Sequence, residues 1–175
     1  GQTCVVAVQG GAARFRAGGS FELGVTLRGA GLWEMCWATV LVRESRTPRS
    51  AAGLCDREVD STNAALSGFL APRLRAGARL TQILEMAHQF CLRLQYGLLR
   101  AQADELLRGR YAGVMAFGGD GLDAAGTVSC TKLIIEYWAA PTLAHACSLE
   151  VALEGSALRI RHSPPLPIDG AAADE

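Results

Sequence analysis

The sequence predicts an α+β domain in which an antiparallel sheet wraps around one long central helix. Residues 80–107 predict the helix, because apolar side chains recur there at alternating steps of four and three, with one glycine and no proline. Short β-branched or alternating segments on both sides of this helix are typical of antiparallel strands. Half of the 175 residues are hydrophobic and only 19% are charged, so the chain can bury a substantial core.

The segments before the helix predict three strands and one short helix. The strands are predicted at 3–9, 21–28 and 32–42. Residues 10–19 begin and end with a glycine pair and are interpreted as a connection, and residues 29–31 as a turn. We expect an irregular polar loop at 43–60, a short helix at 62–70, and a lead into the central helix at 72–78.

The segments after the helix predict four more strands. These strands are predicted at 111–117, 127–138, 146–154 and 157–162. The last two are separated by Gly155 and Ser156, which is typical of a hairpin turn. We therefore expect a single α+β domain at 1–163, followed by a proline-rich end and disordered tail at 164–175.

Composition and charge exclude several classes of function. Basic and acidic residues balance at 17 each, so the chain lacks the positive footprint of a nucleic-acid-binding protein. The six cysteines are too far apart for CxxC chemistry or a zinc knuckle, and their even number leaves disulfides open. No apolar run reaches membrane-spanning length, and no secretory leader is expected. These features predict a cytoplasmic protein with reduced thiols, no metal and no cofactor.

Two stretches resemble the hotdog superfamily of acyl-thioester enzymes. PRLRAG at 72–77, followed by LEMAHQ at 84–89, resembles the Pro-Gly turn and helix motif of β-hydroxyacyl-ACP dehydratases. VSCTKLIIEYWAAP at 128–141, followed by LEVAL at 149–153, is similar to the strand pair of hotdog thioesterases. The resemblance covers about half the chain. It implies a sheet around a central helix, a CoA or acyl-carrier-protein thioester as substrate, and a homodimer through joined sheets.

The resemblance also implies a set of site residues. Glu85 would orient a water or act as general base, and Gln89, one turn further, would hydrogen-bond to either. The remaining substrate-binding candidates are Gly77, Leu84, His88 and Trp138. More ordinary roles stay open, because Glu85 can simply favour the helix dipole, while His88 and Trp138 can be packing residues.

The chain departs from the family pattern where the dehydratases carry their catalytic histidine. Its first histidine is His88, inside the helix, so dehydration by the usual acid and histidine pair is not expected. Two hypotheses remain. The first is an acyl-thioester hydrolase or acyl-binding enzyme, and the alternative is a non-catalytic protein-interaction or structural module. A closed apolar cavity beside Glu85 would favour the enzyme.

Overall fold

The computed structural model describes residues 4–42, 56–109, 115–118, 132–137 and 147–163. The strands are β1 (Cys4–Gln9), β2 (Ala12–Ala17), β3 (Phe21–Arg28), β4 (Leu32–Val40), β5 (Met115–Gly118), β6 (Lys132–Tyr137), β7 (Cys147–Glu154) and β8 (Ala157–Ser163). The helices are α1 (Asp56–Arg75) and α2 (Leu80–Arg108). The chain divides into two compact units, Gly1–Leu98 and Leu99–Glu175. The predicted α+β class, with an antiparallel sheet and a long helix packed against it, is confirmed.

The first unit contains an antiparallel sheet in the order β1-β2-β3-β4. The predicted connection at 10–19 is wrong, because most of it forms β2. Phe15 is buried there while its neighbours Arg14 and Arg16 are exposed, which is the alternation of a half-buried strand. Gly10 and Gly11 have φ of 59° and 77°, so they form the tight two-residue hairpin turn that joins β1 to β2.

One face of this sheet packs against both helices. Each helix contributes three fully buried side chains at steps of four, and steps of four keep side chains on one helix face. The core of the unit comprises Phe15, Ala17, Phe21, Leu23, Val25, Ala38, Val40, Leu66, Leu70, Leu74, Ile83, Ala87 and Cys91. Each large apolar side chain buried in this way stabilises the fold by roughly 1.5–3 kcal/mol.

Helix α1 is longer than the sequence predicts. The expected helix at 62–70 extends to Asp56–Arg75 and includes Pro72, because the buried leucine stripe continues through the proline. The helix ends in a Schellman motif, in which the Gly77 N–H donates to the Leu74 carbonyl (3.0 Å) and the Ala78 N–H to the Arg73 carbonyl (3.0 Å). Gly77 has a φ of 86°, which favours glycine at this position.

The second unit contains a separate antiparallel sheet in the order β5-β6-β7-β8. The predicted hairpin turn at Gly155 and Ser156 is confirmed, since Glu154 pairs with Ala157 across it. The predicted strands at 111–117 and 127–138 lie partly outside the described residues. Across the described helices, neither is long and apolar enough to span a membrane. Cys36, Cys91 and Cys147 are free thiols.

Candidate functional site

An open groove runs between α1 and α2 in the first unit, with a volume of about 610 Å³. Its lining residues are Phe69, Arg73, Ala78, Gln82, Glu85, Met86, Gln89, Phe90 and Arg93. Those on α2 recur in steps of three, one, three, one and three, so they form one face of the helix. From Gln82 to Arg93 this face runs about 16 Å along the helix axis. We call this site the α1–α2 groove.

The floor of the α1–α2 groove is apolar and partly aromatic. The ring centroids of Phe69 and Phe90 lie 6.4 Å apart, with the rings tilted by 32°. Met86 and Phe90 are half-buried and pack against the core, whereas Phe69 is 38% exposed. Contact between tilted rings at this distance is favourable, so the two aromatic side chains hold each other in position across the helix pair.

Two arginines border this floor. The Arg73 guanidinium carbon lies 4.0 Å from the Phe69 ring centroid, and Arg73 Nη1 donates to the Phe69 carbonyl at 2.5 Å. Arg73 is therefore held over the aromatic ring by a cation–π contact and a hydrogen bond. Arg93, three residues beyond Phe90 on α2, is exposed.

Glu85 and Gln89 both line the α1–α2 groove, one helical turn apart. Glu85 is exposed and Gln89 is half-buried. The carboxylate of Glu85 thus faces an open, partly apolar groove and remains accessible to solvent.

The start of α2 is capped by the side chain of Gln82. Gln82 Oε1 accepts a hydrogen bond from the Arg79 N–H at 3.0 Å, as the fourth residue of a capping box does. The Ile83 N–H donates to the Arg79 carbonyl at 3.1 Å and begins the regular helix. The Arg79 amide at the N-terminus of α2 therefore already has an intramolecular partner.

The other predicted site residues lie elsewhere. Gly77 is in the α1–α2 turn and lines a second groove of about 340 Å³, together with Trp33 and Leu80. Leu84 is half-buried and packs against the core, and His88 is also half-buried. Trp138 lies outside the described residues.

Of the nine residues that line the α1–α2 groove, the sequence predicted only Glu85 and Gln89 as site residues; those it missed include Phe69, Arg73 and Arg93. The signal available was the spacing of Phe69 and Arg73, which places them on one face of a helix if α1 continues past residue 70. The short helix predicted at 62–70 ended before Arg73, and so separated the two side chains.

Two further titratable side chains of the first unit, those of Glu22 and Cys91, are buried in the fold. Glu22 is buried on the outer side of β3 and pairs with Arg14, whose Nε lies 2.5 Å from Glu22 Oε1. The hydrogen bond and the charge of Glu22 raise the pKa of the exposed Arg14 guanidinium. Burial raises the pKa of the Cys91 thiol to about 12, so this cysteine is protonated at neutral pH and is a poor nucleophile.

No group of three or more histidine, cysteine, aspartate or glutamate side chains suited to a metal ion occurs within the described ranges. In comparisons with known proteins, no family model and no curated protein matches this chain. The resemblance to hotdog enzymes therefore rests on the two sequence stretches, and on an antiparallel sheet combined with a long helix.

Proposed function

We propose that this chain is a non-catalytic protein-interaction module that binds a polypeptide segment in the α1–α2 groove. The observation that carries the proposal is an open groove with a partly exposed aromatic floor, bordered by Arg73 and Arg93. Phenylalanine, methionine and arginine side chains are enriched in protein–protein interfaces. The exposed Glu85 at the same site fits a rim residue better than a general base.

The dimensions of the groove support this proposal. A face of about 16 Å matches roughly three turns of an incoming helix. Amphipathic helices commonly bind with their apolar side chains in a groove between two other helices. A partner residue inserted beside Phe69 would bury apolar surface that is now open to water, at about 25 cal/mol per Å².

Acyl-thioester hydrolysis is the second candidate function. Its specific support is that Glu85 and Gln89 lie one turn apart above an apolar floor that could accept an acyl chain. The substrate would be a thioester of CoA or of an acyl carrier protein, as the sequence resemblance implies. In this function Glu85 would activate water, and Glu85→Gln would reduce the rate about 10²- to 10⁴-fold.

Peptide binding separates these two functions. The probe is a fluorescein-labelled, designed amphipathic helix of about three turns with an uncharged polar face. We expect Phe69→Ala to weaken its binding about tenfold, because it removes the exposed part of the floor. Leu99→Ala is the matched control, since Leu99 is also 38% exposed and lies on α2 outside the groove.

Equal binding by the Phe69→Ala and Leu99→Ala proteins would contradict the interaction-module proposal. A parallel assay follows hydrolysis of acyl-CoA substrates of several chain lengths. Turnover by the unmodified protein that is lost in Glu85→Gln would establish the hydrolase instead. Thermal melts of every variant exclude unfolding as the cause.

Self-association is a separate proposal that follows from the sequence. Its support is the edge strand β1, where Val6 is 56% and Val8 is 78% exposed and no residue is charged. Edge strands without charge or proline are prone to pair with another strand. Strand β1 of a second copy of this chain could pair with β1 about a two-fold axis. Light scattering should show a dimer at tens of micromolar that Val8→Lys converts to a monomer. A monomer before substitution would contradict it.

A further inference from the structure

We infer that the partner segment of the α1–α2 groove is an acidic amphipathic helix, whose carboxylates bind Arg73 and Arg93 while its apolar side chains cover Phe69 and Phe90. This inference rests on the proposed interaction function and specifies the chemistry of the partner. It follows from the charge on the rim of the groove, the state of its two arginines, and the type of element that can occupy it.

The rim of the groove is positively charged. Arg73 and Arg93 contribute two positive charges and Glu85 one negative charge, a net charge of +1 on a chain whose formal net charge is zero. The two arginines come from different helices, so they border the apolar floor from both walls. A partner with carboxylates beside its apolar face is complementary to this arrangement.

Neither groove arginine is neutralised by an acidic residue of the described chain. The arginines of the sheets differ, since Arg14, Arg28 and Arg159 lie 2.5–2.9 Å from glutamate oxygens. Arg73 is instead held against Phe69 by its stacking contact and its single hydrogen bond to a carbonyl. A guanidinium has five N–H donors, so the remaining N–H groups of Arg73 can donate to a carboxylate of the partner without disturbing this geometry.

The walls of the groove favour a helix over an extended strand. Both walls are α-helices, whose backbone groups are already bonded within each helix, so no sheet edge is available to an incoming strand. A helix satisfies its own backbone and needs only side-chain contacts. Apolar residues at spacings of three and four would meet the floor, with carboxylates at the flanking positions.

Three designed peptides test this inference. They share one apolar helical face of about three turns and carry Glu, Gln or Lys at the flanking positions. We expect the Glu peptide to bind about 3- to 20-fold more tightly than the Gln peptide at low salt, because each of two exposed charge pairs adds a small favourable term to the binding free energy. This advantage should shrink as salt is added, and the Lys peptide should bind most weakly.

Two variants identify the charges responsible. Arg93→Gln and the double variant Arg73→Gln/Arg93→Gln should reduce or abolish the preference for the Glu peptide over the Gln peptide. Arg75→Gln is the matched control, since Arg75 is exposed, lies like Arg73 in the last turn of α1, and is outside the groove. The preference should persist in Arg75→Gln.

The outcomes separate this inference from the function on which it rests. Equal affinities for the Glu and Gln peptides, with binding still weakened by Phe69→Ala, would overturn the acidic partner and leave the interaction module standing. A preference for the Glu peptide that Arg75→Gln removes as strongly as Arg93→Gln would also overturn it. Absence of any Phe69-dependent peptide binding would overturn the proposed function and this inference together.

Discussion

The two four-stranded sheets have the same antiparallel order and differ in how deeply their strands are buried. The first five residues of β3 are buried, from Phe21 to Val25, whereas only Val151 and Ala152 are buried in β7. The largest fully buried side chains of the described chain all belong to the first unit. The same strand order thus occurs with deep burial in β3 and with shallower burial in β7.

The second sheet carries partly exposed charge pairs between its strands. Glu150 in β7 lies 3.1 Å from Lys132 and 3.9 Å from Arg161, its neighbours in the flanking strands. Each exposed pair of this kind contributes about 0–1 kcal/mol, less than one buried leucine. We therefore expect the free energy of unfolding to respond much more strongly to changes in the first unit.

Truncation of a buried leucine has the largest expected effect. Leu23→Ala in the first sheet should lower the free energy of unfolding by about 2–5 kcal/mol, because Leu23 is 0% exposed and its loss leaves a cavity. Leu149→Ala, at a half-buried position of the second sheet, should cost about half as much or less. Urea denaturation of both variants tests the comparison, and equal losses would contradict it.

Thiol labelling should show the next contrast between the units. Iodoacetamide at pH 8 should modify Cys91 only when the first unit opens, whereas the half-buried Cys147 should react faster, as followed by peptide mass spectrometry.

The stability of the protein should also depend on pH through Cys91. Since burial raises the pKa of Cys91 from 9.0 to about 12, the contribution of the buried, protonated thiol to stability is complete below pH 9. That contribution is lost between pH 9 and pH 12, because the unfolded chain releases the proton first.

Comparable labelling of both cysteines in the native protein would show that the first unit opens as readily as the second. Stability that does not fall above pH 9 in the unmodified protein, relative to Cys91→Ala, would contradict the assigned role of thiol burial.

Gly24→Ala should have an intermediate effect on the first sheet. A methyl group at Gly24 would clash with Cε2 and Nε1 of Trp37, so the indole must move. We expect a loss of about 1–3 kcal/mol together with a red shift of tryptophan fluorescence. Gly68→Ala is the control, since nothing lies within 4 Å of the added methyl, and alanine in helix α1 should stabilise the protein by up to about 1 kcal/mol.

Glu150→Gln in the second sheet should have the smallest effect. Because both of its ion pairs are partly exposed, we expect a loss of about 0.2–1 kcal/mol that disappears at high salt. Thermal melts at low and high ionic strength provide the measurement. A loss as large as that of Leu23→Ala would show that charge pairs, and not packing, stabilise the second sheet.

Sequence patterns predicted the elements whose side chains repeat with a clear period. The stripe of residues 80–107 predicted α2, and the alternation at 21–28 predicted β3, because both periods follow from burial on one face. The helix predicted at 62–70 was shorter than α1, because a proline such as Pro72 usually ends a helix. Strand β2 was not predicted, because glycine pairs flank a segment rich in arginine.

The α1–α2 groove could be predicted only in part. The sequence identified Glu85 and Gln89 on one face of α2, but the groove also requires Phe69 opposite Phe90. That contact depends on where α1 ends and on the turn that returns the chain. These are tertiary properties that a local period does not encode.

The tight turn that Gly77 closes has a kinetic consequence. It joins α1 to α2 with only a few residues, so the two aromatic rings that meet across the groove are 21 residues apart in the chain. Closing a loop of this length costs little entropy, and helical hairpins with such local contacts assemble within microseconds to milliseconds. We therefore expect the α1–α2 groove to form as a helical hairpin during synthesis, without a partner to bring its two walls together.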